Sequence, residues 1–170
     1  MLRLALWLVC ICLVSWPAFA QEAKPLEPES VGVLYYLSND HSLKPLPKEP
    51  PKRTTAGKGL ASVNTFVQLP GPASALRLKS GKDLEFVVTS STPENIHLYP
   101  FMPKGKDRRA LVGTSSPKGF RGVSTQQLGR IDLAISKYGE GSYRLRMKAP
   151  EPGEYGFIVG FNAFSFGVDP

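Results

Sequence analysis

Cysteine and tryptophan are nearly missing from this chain: each occurs only twice, and all four residues lie within the first twenty positions. Beyond residue 20 there is no thiol, which excludes a disulfide framework and a thiolate zinc site. Histidine is scarce as well, with only His41 and His97. Neither has a third ligand at metal spacing, and no His-Glu-x-x-His motif occurs. The sequence therefore predicts no metal site and no cofactor.

The chain also lacks an apolar run long enough to cross a bilayer. The longest, Leu4–Val14, falls well short of the roughly 20 residues that a span requires. It follows the basic Arg3, and a small-x-small pattern ends at Ala20, as signal peptidase requires. We therefore predict a signal peptide over residues 1–20, cleaved before Gln21. The mature protein is expected to be periplasmic or extracellular, without a transmembrane span; an uncleaved anchor is the alternative.

Positive charge is in excess. The formal net charge is +7, and Arg3 is the only charged residue in the predicted signal, so cleavage lowers the charge by one unit. For an exported protein this balance predicts anionic envelope polymers or acidic proteins as partners, with plain solubility as the alternative. Export makes nucleic acid an unexpected partner. The remaining length, about 150 residues, is enough for one domain to bury a core.

No run of three helical turns appears anywhere in the sequence. Turn-forming residues recur at short intervals, and between them apolar and polar residues alternate, as in residues 83–90 and 142–148. This pattern predicts an all-β fold: a single antiparallel β-sandwich over residues 31–170, immunoglobulin-like or similar, with a small β-barrel as the alternative. A flexible leader is expected over residues 21–30, and a Pro/Lys-rich loop over residues 44–59.

The last segment, GEYGFIVGFNAFSFGVD over residues 153–169, is rich in phenylalanine and glycine. A hairpin turn at Asn162-Ala163 would sort the large side chains from the small ones, because opposite residues of a hairpin share a face. The large face would carry Phe157, Val159, Phe161, Phe164, Phe166 and Val168. We predict that this face is core and not a ligand surface. The glycine-rich reverse face either allows another element to approach closely or lies in solvent.

Three stretches carry a resemblance to a known family. VGVLYYL…LKPL, LPGPASALRLKSGKDLEFVV and GEYGF…FSFGVD resemble segments of an uncharacterised family of exported bacterial β-rich proteins, over roughly residues 31–169. The resemblance implies a bacterial source, export and a β-rich domain. It implies no catalytic residues, because none is assigned to the family.

Enzymatic chemistry has one candidate pair. Asp83 and Glu85 lie two residues apart on one predicted strand face, as the paired carboxylates of a glycosidase could. A solvated outer strand face explains the same pattern. No Gly-x-Ser-x-Gly elbow occurs. We predict a non-enzymatic protein, with a carbohydrate-active enzyme that uses these two carboxylates as the alternative.

Basic residues form the other candidate site. Alternation places three of them on one strand face, and the stretch KGKDRR over residues 104–109 adds four. The predicted anion-binding residues are Arg144, Arg146, Lys148, Lys104, Lys106, Arg108 and Arg109. A solvated face whose charges block unwanted strand pairing is the alternative. The leading hypothesis is an interaction or accessory protein of the cell envelope, and a structural subunit of an envelope assembly is a further alternative.

Overall fold

The computed structural model describes residues 25–57, 62–117 and 123–170. The predicted signal peptide and its cleavage site lie outside these ranges. Within them the regular secondary structure is β-strand apart from one short 3₁₀ turn, and the strands pair antiparallel with a single parallel exception. The predicted all-β class is confirmed.

Fourteen strands occur in the described residues. In chain order they are β1 (Leu34–Leu37), β2 (Leu43–Pro45), β3 (Lys48–Glu49), β4 (Lys52–Ala56), β5 (Val63–Pro70), β6 (Arg77–Lys79), β7 (Leu84–Thr89), β8 (His97–Lys104), β9 (Asp107–Pro117), β10 (Val123–Gln127), β11 (Ala134–Lys137), β12 (Ser142–Met147), β13 (Gly153–Val159) and β14 (Asn162–Asp169). The 3₁₀ turn, Pro93–Asn95, precedes β8.

Five strands form the smaller sheet, in the order β11-β12-β7-β1-β2. Its central strand, β7, alternates as the sequence predicts, and Leu84, Phe86 and Val88 are buried on its inner face. The neighbouring β12 turns Leu145 and Met147 to the same side. One face of this sheet therefore packs against the rest of the protein.

The larger sheet curls into a half-barrel. Its order is β3-β14-β13-β8-β9-β5-β4, with β10 added to β9 and β6 added to β14. The two ends of this order, β3 and β4, are consecutive in the chain. Three residue steps separate Glu49 from Lys52, a reach of at most about 10 Å, so β14 and β5 must approach each other. A β-bulge between Thr65 and Phe66 adds to the bend.

The predicted loop over residues 44–59 is wrong in its central part. β3 pairs with β14 and β4 pairs with β5, so this segment joins both ends of the half-barrel. Its prolines lie at the ends of short strands or between them, where a missing N–H is tolerated. Its basic side chains Lys48, Lys52 and Arg53 are exposed while the backbone pairs.

Two clusters of apolar side chains hold the sheets. The first lies between the five-stranded sheet and the half-barrel, where the ring of Phe86 lies 4.9 Å from that of Phe157 and 4.8 Å from that of Phe166. The second fills the half-barrel. Its buried members are Val67, Leu69, Tyr99, Phe101, Ala110, Ile158 and Ala163.

The closing hairpin has the predicted faces but a different turn. Phe157 pairs with Phe164, and Val159 with Asn162, so the chain turns at Gly160-Phe161 and not at Asn162-Ala163. Gly160 has a φ of 58°, which glycine adopts without strain. The prediction that these side chains are core is confirmed for Phe157, Phe164 and Phe166, which are almost inaccessible to solvent. It is wrong for Phe161, which is 93% exposed at the turn.

The glycine-rich reverse face of the hairpin lies inside the half-barrel and not in solvent. A Cβ atom on Gly156 would lie 2.7 Å from Cε2 of Phe101, a distance that real Cβ atoms do not show. The Arg77 guanidinium covers Gly167 in the same way. The side chains of Phe101 and Arg77 therefore lie too close to these two positions for a residue other than glycine.

Candidate functional site

The structure divides the predicted anion-binding residues between the two sheets. Arg144 and Arg146 lie on β12 of the five-stranded sheet, and Lys148 directly follows that strand. The KGKDRR stretch forms the β8–β9 hairpin of the half-barrel. The seven residues therefore do not form one face.

The β12 arginines point outward, as predicted, but they are already paired. Nη2 and Nε of Arg146 donate to Oε1 of Glu85, at 2.7 and 3.0 Å. Nη1 of Arg144 lies 3.4 Å from Oε2 of the same carboxylate. The hydrogen bond to Glu85 raises the pKa of Arg146. Both arginines are therefore already paired with a carboxylate of their own sheet.

Arg108 is not a surface residue, so its place in the predicted anion-binding face is wrong. It is 0% exposed, because β9 alternates and turns this side chain into the half-barrel while Arg109 points outward. Its Nη1 donates to the carbonyl oxygens of Pro70 and Gly71, at 2.6 and 3.0 Å. Its Nη2 donates to Oε1 of Glu49 at 2.6 Å.

Buried polar groups extend from Arg108 across the end of the half-barrel. Its Nη2 also donates to Oγ of Ser165 at 2.9 Å, and that hydroxyl lies 2.8 Å from Oγ of Ser74. The backbone N–H of Ser74 donates to Oε2 of Glu154 at 2.7 Å. These contacts tie the connection after β5 to β9, β13 and β14, which indicates a structural role. Sequence reasoning missed them, because partners up to 116 residues apart, Glu49 and Ser165, meet here.

A shallow apolar groove lies on the outer face of the half-barrel. It has a volume of about 300 Å³ and is lined by Phe66, Pro100, Met102, Arg109, Leu111 and Gly129. We call it the Arg109 groove. The guanidinium carbon of Arg109 lies 4.6 Å from the ring centroid of Phe66, and Met102 is 71% exposed. Among the residues that the structure describes, no carboxylate pairs with Lys104, Lys106 or Arg109.

A polar groove of about 320 Å³ lies at one end of the five-stranded sheet. The turn between β1 and β2 forms one wall, and β7 and β12 form the other. It brings together Asp83, Glu85 and Arg146 with the turn residues Asn39 and His41. We call it the turn groove. The carboxylate pair predicted for a carbohydrate-active enzyme thus lies at a concavity, but Glu85 accepts from Arg146 and Asp83 accepts from the Ala149 N–H at 3.1 Å.

His97 gives the protein a pH-dependent stability. Burial and the positive charge of Arg130 lower the pKa of His97 below its ordinary value near 6.5. At a pH between the lowered pKa of His97 in the folded protein and its value near 6.5 in the unfolded chain, the unfolded chain binds more protons than the folded one. Stability is therefore complete above about pH 6.5 and falls as the pH drops through that value.

The urea midpoint of the purified protein is thus expected to be lower at pH 5.5 than at pH 7.5. His97→Gln should reduce this difference. His41→Gln, at the exposed second histidine, is the matched control and should leave the difference unchanged. An equal effect of the two replacements would contradict the assignment.

Within residues 25–57, 62–117 and 123–170, no helix is long and apolar enough to cross a membrane. In the same part of the chain, no group of three or more His, Cys, Asp or Glu side chains could hold a metal ion. No family model, curated protein or solved structure matches this chain. The Arg109 groove and the turn groove are the candidate binding sites of the described residues.

Proposed function

We propose that this chain is an exported, non-enzymatic interaction protein of the cell envelope, and that its Arg109 groove binds an acidic polypeptide segment. The observation that carries this proposal is the Arg109 guanidinium, which lies over Phe66 without a carboxylate partner among the described residues. The export part of the proposal is supported by the N-terminal sequence pattern.

Arg109 is arranged to receive a carboxylate. A guanidinium stacked on an aromatic ring keeps its in-plane N–H groups for a ligand, and the stacking restricts its rotamers before binding. Lys104 lies on the same strand face as Met102, two residues along β8 and thus about 7 Å away. Lys106, in the tight turn of the hairpin, is exposed. The groove therefore has cations at its rim.

The walls of the groove favour a polypeptide over an anionic polysaccharide. Phe66, Pro100 and Leu111 offer apolar surface that suits an apolar side chain and not a sugar hydroxyl. The exposed Met102 is flexible and polarisable, so it can adapt to such a side chain. We infer an occupant with acidic residues on either side of one apolar residue.

The proposal predicts a specific loss of binding. Anisotropy of a labelled Glu-rich peptide with one central Phe should show saturable binding at low salt. The triple variant Lys104→Ser, Lys106→Ser, Arg109→Ser should weaken it about tenfold, because the bidentate and steering contacts are lost. The same peptide with Ser in place of Phe should also bind more weakly.

The matched control is Lys44→Ser, Lys82→Ser, Lys148→Ser, which removes the same charge from exposed positions outside the groove. It should change affinity by no more than about twofold, as expected for screened distant charges. Equal losses in the two triple variants would show that net charge alone attracts the peptide. Stronger binding of alginate, an anionic polysaccharide without apolar groups, would reassign the partner class.

A further inference from the structure

We propose that the turn groove binds one pyranose unit of a neutral saccharide. The groove belongs to the five-stranded sheet, whereas the Arg109 groove belongs to the half-barrel, so this site is separate from the one assigned above. Its volume, about 320 Å³, suits a small ligand of this size class.

The floor of the turn groove presents a donor beside an acceptor. Arg146 uses Nε and Nη2 on Glu85, and its Nη1 makes no hydrogen bond to a described residue. Oδ1 of Asp83 accepts from Ala149, while Oδ2 lies 3.9 Å from Nε of Arg146, beyond hydrogen-bonding distance. Each hydroxyl group both donates and accepts. A pyranose, which carries several hydroxyl groups, therefore offers partners to Nη1 and to Oδ2, whose residues both line the groove.

The rim of the turn groove is fixed by its own hydrogen bonds. The Asp40 carboxylate accepts from the N–H and the hydroxyl of Ser42, at 3.1 and 2.8 Å, and the Ser38 N–H donates to the Ser42 carbonyl at 3.0 Å. The hydrogen bond from the Ser38 hydroxyl to the Asp40 carboxylate, followed by those from the Ser42 hydroxyl and N–H, lowers the pKa of Asp40 far below its ordinary range. The rim is thus formed before any ligand arrives, which lowers the entropic cost of binding.

His41 is held at this rim in a strained conformation. Its φ of 61° is the only positive value among the described residues other than glycine. Such strain persists only where surrounding contacts enforce it, and it occurs more often at ligand sites than elsewhere. Here the His41 N–H donates to the Ser38 carbonyl at 2.9 Å, and the residue lines the groove.

The charges of the groove favour a neutral ligand. Glu85 is paired with Arg144 and Arg146, and Asp83 lies near Arg146, so two cations offset these two anions. The third carboxylate, Asp40 at the rim, is stabilised by hydrogen bonds from Ser38 and Ser42. A charged ligand would leave this set unbalanced, whereas hydroxyl groups use the free donor and acceptor and add no charge. Both carboxylates already accept hydrogen bonds, so the arrangement favours binding over glycoside hydrolysis.

The experiment is a two-dimensional ¹H–¹⁵N NMR titration of the purified protein with methyl β-D-glucopyranoside, methyl β-D-galactopyranoside and methyl α-D-mannopyranoside. At least one should give saturable shifts, with a millimolar Kd, at the amides of Asn39, His41 and Asp83. Asp83→Ala should weaken binding about tenfold. Asp132→Ala, at an exposed aspartate near β11, is the matched control and should retain full affinity.

Asn39→Ala, an exposed change within the turn, provides a second variant that leaves the Asp83–Ala149 hydrogen bond intact; it too should weaken binding. The absence of saturable shifts with all three glycosides, or equal shifts with glycerol, would overturn the proposal. Unchanged affinity in both Asp83→Ala and Asn39→Ala would do the same. The triple variant of the Arg109 groove should still bind the sugar, so failure at one groove can be told from failure at the other.

Discussion

Replacing Arg108 with methionine is expected to lower the free energy of unfolding by about 3–5 kcal/mol. The guanidinium is fully buried and donates to Glu49, to Ser165 and to the Pro70 and Gly71 carbonyls. Methionine fills similar space but donates nothing, so a carboxylate and several buried acceptors lose their partner. Urea unfolding followed by circular dichroism would measure the change as a lower midpoint at an unchanged slope.

Two further variants test whether this loss of stability comes from the hydrogen bonds of Arg108. Arg108→Lys keeps the charge but replaces a planar group of five N–H donors with three, so an intermediate loss is expected. Lys106→Met, at an exposed position two residues earlier, should change stability by no more than about 0.5 kcal/mol. Wild-type stability in Arg108→Met would show that the buried network contributes nothing.

Arg108 also shows where sequence reasoning ends. The stretch KGKDRR looks like a uniform basic cluster, although strand alternation alone requires that Arg108 and Arg109 point to opposite faces. What alternation cannot supply is the identity of the buried partners. Glu49 and Ser165 lie 59 and 57 residues from Arg108 in the chain, and they meet it only because the sheet curls.

The β12 arginines illustrate the same limit on the other sheet. The sequence correctly predicts that Arg144 and Arg146 point outward from β12, and it places Asp83 and Glu85 together on one strand face. It does not predict that β7 and β12 are neighbours, because strand order depends on contacts between distant segments. Because β7 pairs with β12, Glu85 binds Arg144 and Arg146 of the supposed anion-binding stripe, and Arg146 lines the turn groove.

The closing hairpin was predictable in its faces but not in its turn. The observed turn lies two residues before the predicted one, and side chains alternate with a period of two, so the paired strands keep their faces. Gly160 was a signal in the sequence, because a two-residue turn requires a positive φ, which glycine adopts more readily than the alanine at position 163. The observed φ of Gly160 is 58°. Only Phe161 changes its environment, from core to solvent.

Because Phe157 is buried and Phe161 is exposed, replacing each with alanine should have different effects on stability. Phe157→Ala is expected to cost about 3–5 kcal/mol, because the ring is 0% exposed and lies 4.9 Å from that of Phe86. Phe161→Ala should change stability by no more than about 0.5 kcal/mol, because that ring is 93% exposed. Urea unfolding of the two variants beside the wild type gives both values.

Both variants replace a phenylalanine of the same hairpin with alanine, so the difference between their losses of stability depends on where the chain turns. A turn at Asn162-Ala163 would place Phe161 opposite Phe164 on the core face, and both replacements would then cost several kcal/mol. Near-equal losses would therefore contradict the observed register. A large loss at Phe157 alone would fix the turn at Gly160-Phe161, and it would leave Phe161 as a solvent-exposed ring that contributes nothing to the core.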